Sequence, residues 1–238
     1  MGVSGFYRYI LKNYPLCIKK ERTFLKTPYL FFDYNGLIHP VVQIVLKSVE
    51  EQNLEISEYE LIKRINEEII KYTDKIINYI RPSFVYIAMD GVAPRAKMIQ
   101  QRLRRFKSAK ERDLSRFDTN CISPGTDFMT LLSVRLNQYF YNEVPKFVNN
   151  YKFSDTSEPG EGEHTIINYI KNYCDDKKTQ CIIYGLDADL IMLCMSTLLP
   201  HMYLLREIQH FEVNYNSSID IDQLQLQFLC IDALKYSM

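Results

Sequence analysis

Apolar residues fall along this chain in two rhythms, short continuous runs and longer helical stripes. Tyr29-Leu30-Phe31-Phe32 is a run that stops at Asp33-Tyr34-Asn35-Gly36, which predicts a buried strand leaving a sheet. Residues 84–89 predict a second such strand, stopping at Asp90-Gly91. Cys181-Ile182-Ile183-Tyr184 predicts a third, stopping at Gly185-Leu186-Asp187-Ala188-Asp189. Between them lie helical patterns: a short one at 4–12, then an amphipathic one at 57–80 with Leu61, Ile65, Ile69, Ile76 and Ile80 near helical spacing. A basic helix is expected over 94–117, and another over 126–142 after Pro124-Gly125. A strand at 147–153 leads into Pro159-Gly160-Glu161-Gly162-Glu163 and a helix to about 173. After Asp189 come a helix, strand-like segments at 202–206 and 209–213, and a helix from about 220. Strands alternating with helices predict an α/β fold, a mostly parallel twisted sheet with helices on both faces. No repeat, low-complexity tract or linker interrupts the pattern, so a single domain over 1–238 is expected.

The carboxylates carry the chemistry. Three predicted strands end in aspartate: Asp33, Asp90 and the pair Asp187/Asp189. In an open parallel sheet, ligands bind beyond the carboxyl ends of the strands, so residues far apart in sequence should converge there. Glu161 and Glu163 join them from a Gly-rich turn at a helix start, where glycine lets the backbone bend tightly. Six acids packed together repel one another and raise their own pKa values unless divalent cations neutralise them. Oxygen-only donors favour Mg²⁺ or Mn²⁺ over zinc. Two such ions can activate water and stabilise the leaving oxygen of a phosphodiester. The bland alternative is that each strand-end aspartate caps the helix that follows it. A D-x-D pair alone is also shared with metal-dependent glycosyltransferases. Asp155 and Glu158 read as loop groups, and His164 as a helix-start structural residue.

The basic helix lies a few residues after Asp90. Residues 95–116 hold nine Lys or Arg against two acids, although the chain's formal net charge is +0. Any polyanion must therefore be recognised locally rather than by the field of the whole molecule. Lys97, Gln101, Arg104 and Arg105 share one helical face, a phosphate-clamp pattern suited to Arg forks. Ala96, Ile99, Leu103 and Phe106 occupy the opposite face and are expected to pack on the sheet. The competing reading is a solvated basic surface.

Composition narrows the remaining classes. Six cysteines show no C-x-x-C pair and no zinc-like spacing, which suits reduced, mostly buried thiols. Gly2 raises myristoylation, but Phe6 stands where that motif needs Ser or Thr. There is no signal-like apolar core, and no apolar run nears the ~20 residues of a membrane span. The expectation is an intracellular protein, cytoplasmic or nuclear, that is neither secreted nor in the membrane. Trp is absent, so stacking would fall to Tyr, Phe or His.

Several blocks together resemble the XRN family of 5′→3′ exoribonucleases. They are Met1-Gly2-Val3 with Phe6-Tyr7-Arg8-Tyr9, then 32–39 (FDYNGLIH), 89–98 (MDGVAPRAKM) with 100–106 (QQRLRRF), 122–129 (ISPGTDFM), 159–164 (PGEGEH) and 184–193 (YGLDADLIML). They follow the family's order from residue 1 to about 207. The resemblance implies a PIN-like nuclease domain. It implies Mg²⁺ or Mn²⁺, two ions, held by Asp33, Asp90, Glu161, Glu163, Asp187 and Asp189. It also implies a 5′-phosphate pocket of Lys97, Gln101, Arg104 and Arg105 that accepts a monophosphate on single-stranded RNA. His39 matches a histidine that stacks on the first base; on its residues alone it could equally be a metal ligand or a structural histidine. Two family features are not found: a further metal-binding aspartate in a Gly-Asn-Asp-Phe motif, and a second stacking aromatic, a Trp. Asp232, near the chain's end, does not replace that aspartate. The expected function is stepwise hydrolysis of 5′-monophosphorylated RNA. The alternatives are an impaired RNA 5′-end-binding protein, or half of a split nuclease completed by a partner chain. A flap-type DNA nuclease fits the 91–102 block poorly, and a glycosyltransferase explains neither the other four carboxylates nor the basic helix.

Overall fold

The computed structural model describes residues 5–111, 117–174, 178–208 and 225–238. Helix α1 (Phe6–Asn13) precedes a two-residue strand β1 (Ile18–Lys19) and strand β2 (Tyr29–Asp33). Helices α2 (Tyr34–Glu51) and α3 (Glu58–Ile80) lead to β3 (Phe84–Ala88), α4 (Arg95–Glu111), α5 (Asp127–Asn142) and β4 (Asn150–Ser154). Then come α6 (Gly162–Tyr173), β5 (Cys181–Tyr184), α7 (Ala188–Met195), β6 (Met202–Glu207), β7 (Leu226–Cys230) and α8 (Ile231–Ser237).

The strands form one sheet in the order β1-β7-β6-β5-β2-β3-β4. The five strands from β6 through β5, β2 and β3 to β4 are parallel, while β7 runs antiparallel to β6, and β1 to β7. The chain builds outward from β2 to β3 and β4, then returns to lay β5 on the other flank of β2. That reversal puts a topological switch point between β2 and β5, where an open α/β sheet binds its ligand.

Alternation along the strands sorts the core into two layers. Leu30 and Phe32, Val85 and Ile87, Ile182 and Tyr184 face α2, α3 and α5. Phe31, Tyr86, Ile183 and Leu204 face α1, α6, α7 and α8. Helix starts are fixed locally: the Ser57 side chain accepts from the Glu60 backbone N–H at 3.2 Å, and Thr126 from Met129 at 3.4 Å.

The fold differs from the sequence expectation in four places. Helix α2, with Gly36 and Pro40 in its sequence, was not foreseen. It persists because Leu37, Ile38, Val41, Val42 and Val45 are all buried. At about 1.5–3 kcal/mol each, that burial outweighs the ~3 kcal/mol of an internal proline. Strand β1 was likewise unforeseen. Residues 226–230 form a strand, not the continuation of a helix from about 220; Leu226-Gln227-Phe228 alternates with period two, and Leu226–Cys230 pairs with β6. On α4, Ala96, Ile99, Leu103 and Phe106 do not pack on the sheet. They are exposed, because the helix turns its Lys97, Gln101 and Arg105 side inward toward the acidic cluster. The expected strand at 209–213, the start of the helix expected at 220, Met1-Gly2-Val3, Arg112 and Arg116 lie outside the described residues.

Candidate active site

All six predicted carboxylates lie at the carboxyl edge of the parallel strands. Asp33 ends β2 and occupies the N-cap position of α2, Glu161 that of α6, and Asp187 that of α7. None of the three side chains makes a capping hydrogen bond. The helix-cap alternative therefore fails for them: the backbone places them at helix starts, and their oxygens point elsewhere. Glu163 and Asp189 follow in the first turns of α6 and α7.

Two loops are locked together to bring Asp90 to the cluster. The Gly91 N–H donates to the Gly160 carbonyl and the Gly160 N–H to the Val92 carbonyl, both at 2.9 Å. Asp90 then accepts the Gly162 N–H at 2.8 Å, and its own N–H donates to Asn35 Oδ1 at 3.1 Å. Gly162 is required here, since a Cβ would lie 2.8 Å from the Ala88 carbonyl oxygen and 3.5 Å from Asp33 Oδ1. Asp155 and Glu158 are loop groups, as expected. Asp155 accepts from Ser157, and Glu158 accepts the Ser154 hydroxyl at 2.6 Å.

Electrostatics records the convergence. Burial, then the charges of Asp90, Glu163, Asp187 and Glu161, hold the Asp33 pKa well above the usual carboxylate range. Asp90 is raised by burial and by Glu161 and Asp187, against the Gly162 N–H and Lys97. Glu163 is pushed up to about 7 by burial, then by Glu161, Asp187 and Asp189, with Lys97 opposing. Such a cluster of hard oxygen donors, costly while unneutralised, fits a divalent cation of the Mg²⁺ or Mn²⁺ kind. The ligand atoms of Glu161, Glu163 and His164 all lie within 4.8 Å of one another. His164 was read from sequence as structural, yet its Nδ1 is 3.8 Å from Glu161 and 3.7 Å from Glu163. The cue was its place next to Glu163.

The basic face of α4 reaches into this cluster. Lys97 Nζ is 2.9 Å from Glu161 Oε1, and that bond raises its pKa. Burial and the neighbouring Arg104 lower Arg105, while Asp90 opposes. His39 stands exposed on α2. Surrounding protein atoms and then Arg104 lower its pKa against the pull of Asp187, so His39 lies in the fields of both the basic helix and the acids. Asp232 is spent elsewhere: its Oδ2 accepts the His201 N–H at 2.6 Å, at the opposite, amino-terminal edge of β6. The six cysteines are free thiols, and among the described residues no helix is long and apolar enough to cross a membrane.

The family described as "XRN 5'-3' exonuclease N-terminus" matches residues 1–116 and 111–208. The chain is 38% identical to 5′-3′ exoribonuclease 1 of Homo sapiens, covering 89% of this chain and 14% of that protein. It is also 38% identical to 5′-3′ exoribonuclease 2 of Schizosaccharomyces pombe, covering 77% of the chain and 21% of that protein. It therefore spans only a small part of these relatives' length. A solved structure, the catalytic core of Rad2 in complex with DNA substrate, shares the fold at a TM-score of 0.50 and 15% identity, over 98% of this chain and 56% of that one.

Proposed function

This chain belongs to the XRN 5′→3′ exonuclease family, and from that premise we propose that it hydrolyses 5′-monophosphorylated single-stranded RNA stepwise from its 5′ end. The observation that carries the proposal is the Lys97–Glu161 contact. A cationic face suited to phosphate oxygens touches a carboxylate cluster suited to divalent metal, so an end phosphate held by one sits beside the other.

In this reading Lys97, Gln101, Arg104 and Arg105 bind the terminal phosphate. His39 stacks on the first base, and its lowered pKa favours the neutral ring. Asp33, Asp90, Glu161, Glu163, Asp187 and Asp189 would hold Mg²⁺ or Mn²⁺, two ions. Bound there, the metal supplies an activated water and charge neutralisation at the leaving oxygen. Asp33 and Asp90 are fixed by strand ends and by the Gly162 N–H, so the cluster is organised before substrate arrives. Buried free thiols suit an intracellular setting, cytoplasmic or nuclear.

The second reading is an RNA 5′-end binder, or a nuclease half that needs a partner chain to complete its site. It is favoured by the fact that, among the described residues, Glu161, Glu163 and His164 are the only group of three or more whose ligand atoms all lie within 4.8 Å of one another. One assay separates the two: RNAs ending in 5′-monophosphate, 5′-hydroxyl or 5′-triphosphate, incubated in Mg²⁺ and then Mn²⁺. Shortening of the monophosphate RNA alone, lost in both Asp187→Ala and Arg104→Ala, is the expected result. Binding without shortening by the folded chain in either metal would replace the first reading with the second.

A further inference from the structure

Arg206 is a cation in a place where cations are rare. It sits in β6, only 6% exposed, on the sheet face that packs against α1. Its Nη2 donates to the carbonyl of Leu186, the peptide that leads directly into Asp187. Its guanidinium lies 3.9 Å from the ring centroid of Tyr7, whose hydroxyl accepts from Gln227 at 2.9 Å. Among the described residues Arg206 makes no ion pair, and its Nη1 has no hydrogen-bond partner. The adjacent Glu207 points to the other face, where Tyr72 and Tyr184 donate to it. A buried, unpaired charge is expensive. The cation–π contact and one carbonyl bond offset only part of that cost.

One residue beyond the carbonyl it holds is Asp187, of the acidic cluster. Asp187 contributes to the field at Arg206, and Asp187 and Asp189 flank the start of α7. We propose that Arg206 is a positioning residue for the metal-binding turn. It fixes the Leu186–Asp187 peptide, and with it the direction of the Asp187 side chain, through the Leu186 carbonyl. This rests on the reading that Asp187 and Asp189 hold the metal. Arginine suits the task because its planar, rigid fork fixes the direction in which it donates to the carbonyl.

The test is a calorimetric Mn²⁺ titration of the whole chain, wild type against Arg206→Met, Arg206→Lys and Asp187→Asn. Anisotropy of a 5′-monophosphate oligonucleotide in chelator runs alongside. Arg206→Met is expected to weaken Mn²⁺ binding about tenfold, the usual cost of losing a group that orients a ligand, and Arg206→Lys by less. Oligonucleotide binding through α4 should stay within about twofold. If Arg206→Met unfolds by circular dichroism, Arg206→Lys carries the test, and a wild-type Mn²⁺ affinity there would overturn the proposal. Equal loss of metal and oligonucleotide binding would also overturn it, showing a merely structural role. Unchanged Mn²⁺ binding in Arg206→Met beside a weakened Asp187→Asn overturns this proposal alone. Unchanged Mn²⁺ binding in Asp187→Asn overturns the metal-site reading and this proposal with it.

Discussion

Glu163 faces the charges of Glu161, Asp187 and Asp189, with Lys97 opposing them. Its folded pKa of about 7 lies above the ordinary 4.5, so the sign of its effect on stability is the reverse of a salt-bridged acid. Below 4.5 the side chain is protonated in both folded and unfolded chains and costs nothing. Between 4.5 and about 7 the folded chain holds the extra proton, so each rise in pH removes stability. Above 7 the whole penalty remains, up to about 3 kcal/mol before solvent screening. Asp33 and Asp90 act in the same direction. Thermal melts in chelator should therefore show Glu163→Gln matching wild type at pH 4.5 and melting higher at pH 8. Mn²⁺ should raise the wild type more than the variant. Parallel pH slopes for the two would refute the repulsion argument. The six carboxylates were legible in the sequence because each ends a strand or opens a helix. Arg206 was not, since a charge inside an apolar strand run gives no sign of which face it takes or what lies above it.

At the scale of elements, α4 shows how a correct helix can be turned the wrong way. Its apolar positions recur at helical spacing, which ordinarily marks the core-facing side. Here the opposite side is drawn inward by charge: Lys97 to Glu161, and Arg105 toward Asp90. Leu103 and Phe106 stay 66% and 71% exposed. Periodicity identifies a stripe but not what attracts the other one. Phe106→Ser should therefore change the stability of the isolated chain by no more than about 0.5 kcal/mol. Ile69→Ala, in the buried stripe of α3, should cost about 2–5 kcal/mol. Urea unfolding midpoints measure both, and a large loss in Phe106→Ser would mean that α4 packs by its apolar face after all. Helix α2 was hidden for a related reason: Gly36 and Pro40 read locally as breakers, while the burial that overrides them is a tertiary fact. Strand β7 was legible in principle, through the alternation Leu226-Gln227-Phe228. The switch point between β2 and β5 was not, because strand order does not follow from strand spacing.

For the molecule as a whole, charge is balanced in number and segregated in space. Formal net charge is +0, yet cations gather on α4 and anions at the carboxyl edge of the sheet. A chain with no net charge cannot hold RNA by general attraction, so the salt dependence of binding should count the clamp and little else. The three cations of the proposed clamp, Lys97, Arg104 and Arg105, converge on one terminal phosphate, which predicts a slope of about −0.7 for log affinity against log salt on a single strand. The measurement is anisotropy of a short 5′-monophosphate RNA in chelator from low to moderate salt. Arg104→Ala should make that slope shallower, and a 5′-hydroxyl RNA should bind wild type with a slope near zero. A much steeper slope would instead recruit Arg95 and Arg102, which stand exposed on the same helix, and the strand would then run along α4 rather than end against it. A slope near zero would leave the basic face as solvated surface, and the Lys97–Glu161 contact would be an ordinary ion pair between a helix and its neighbour.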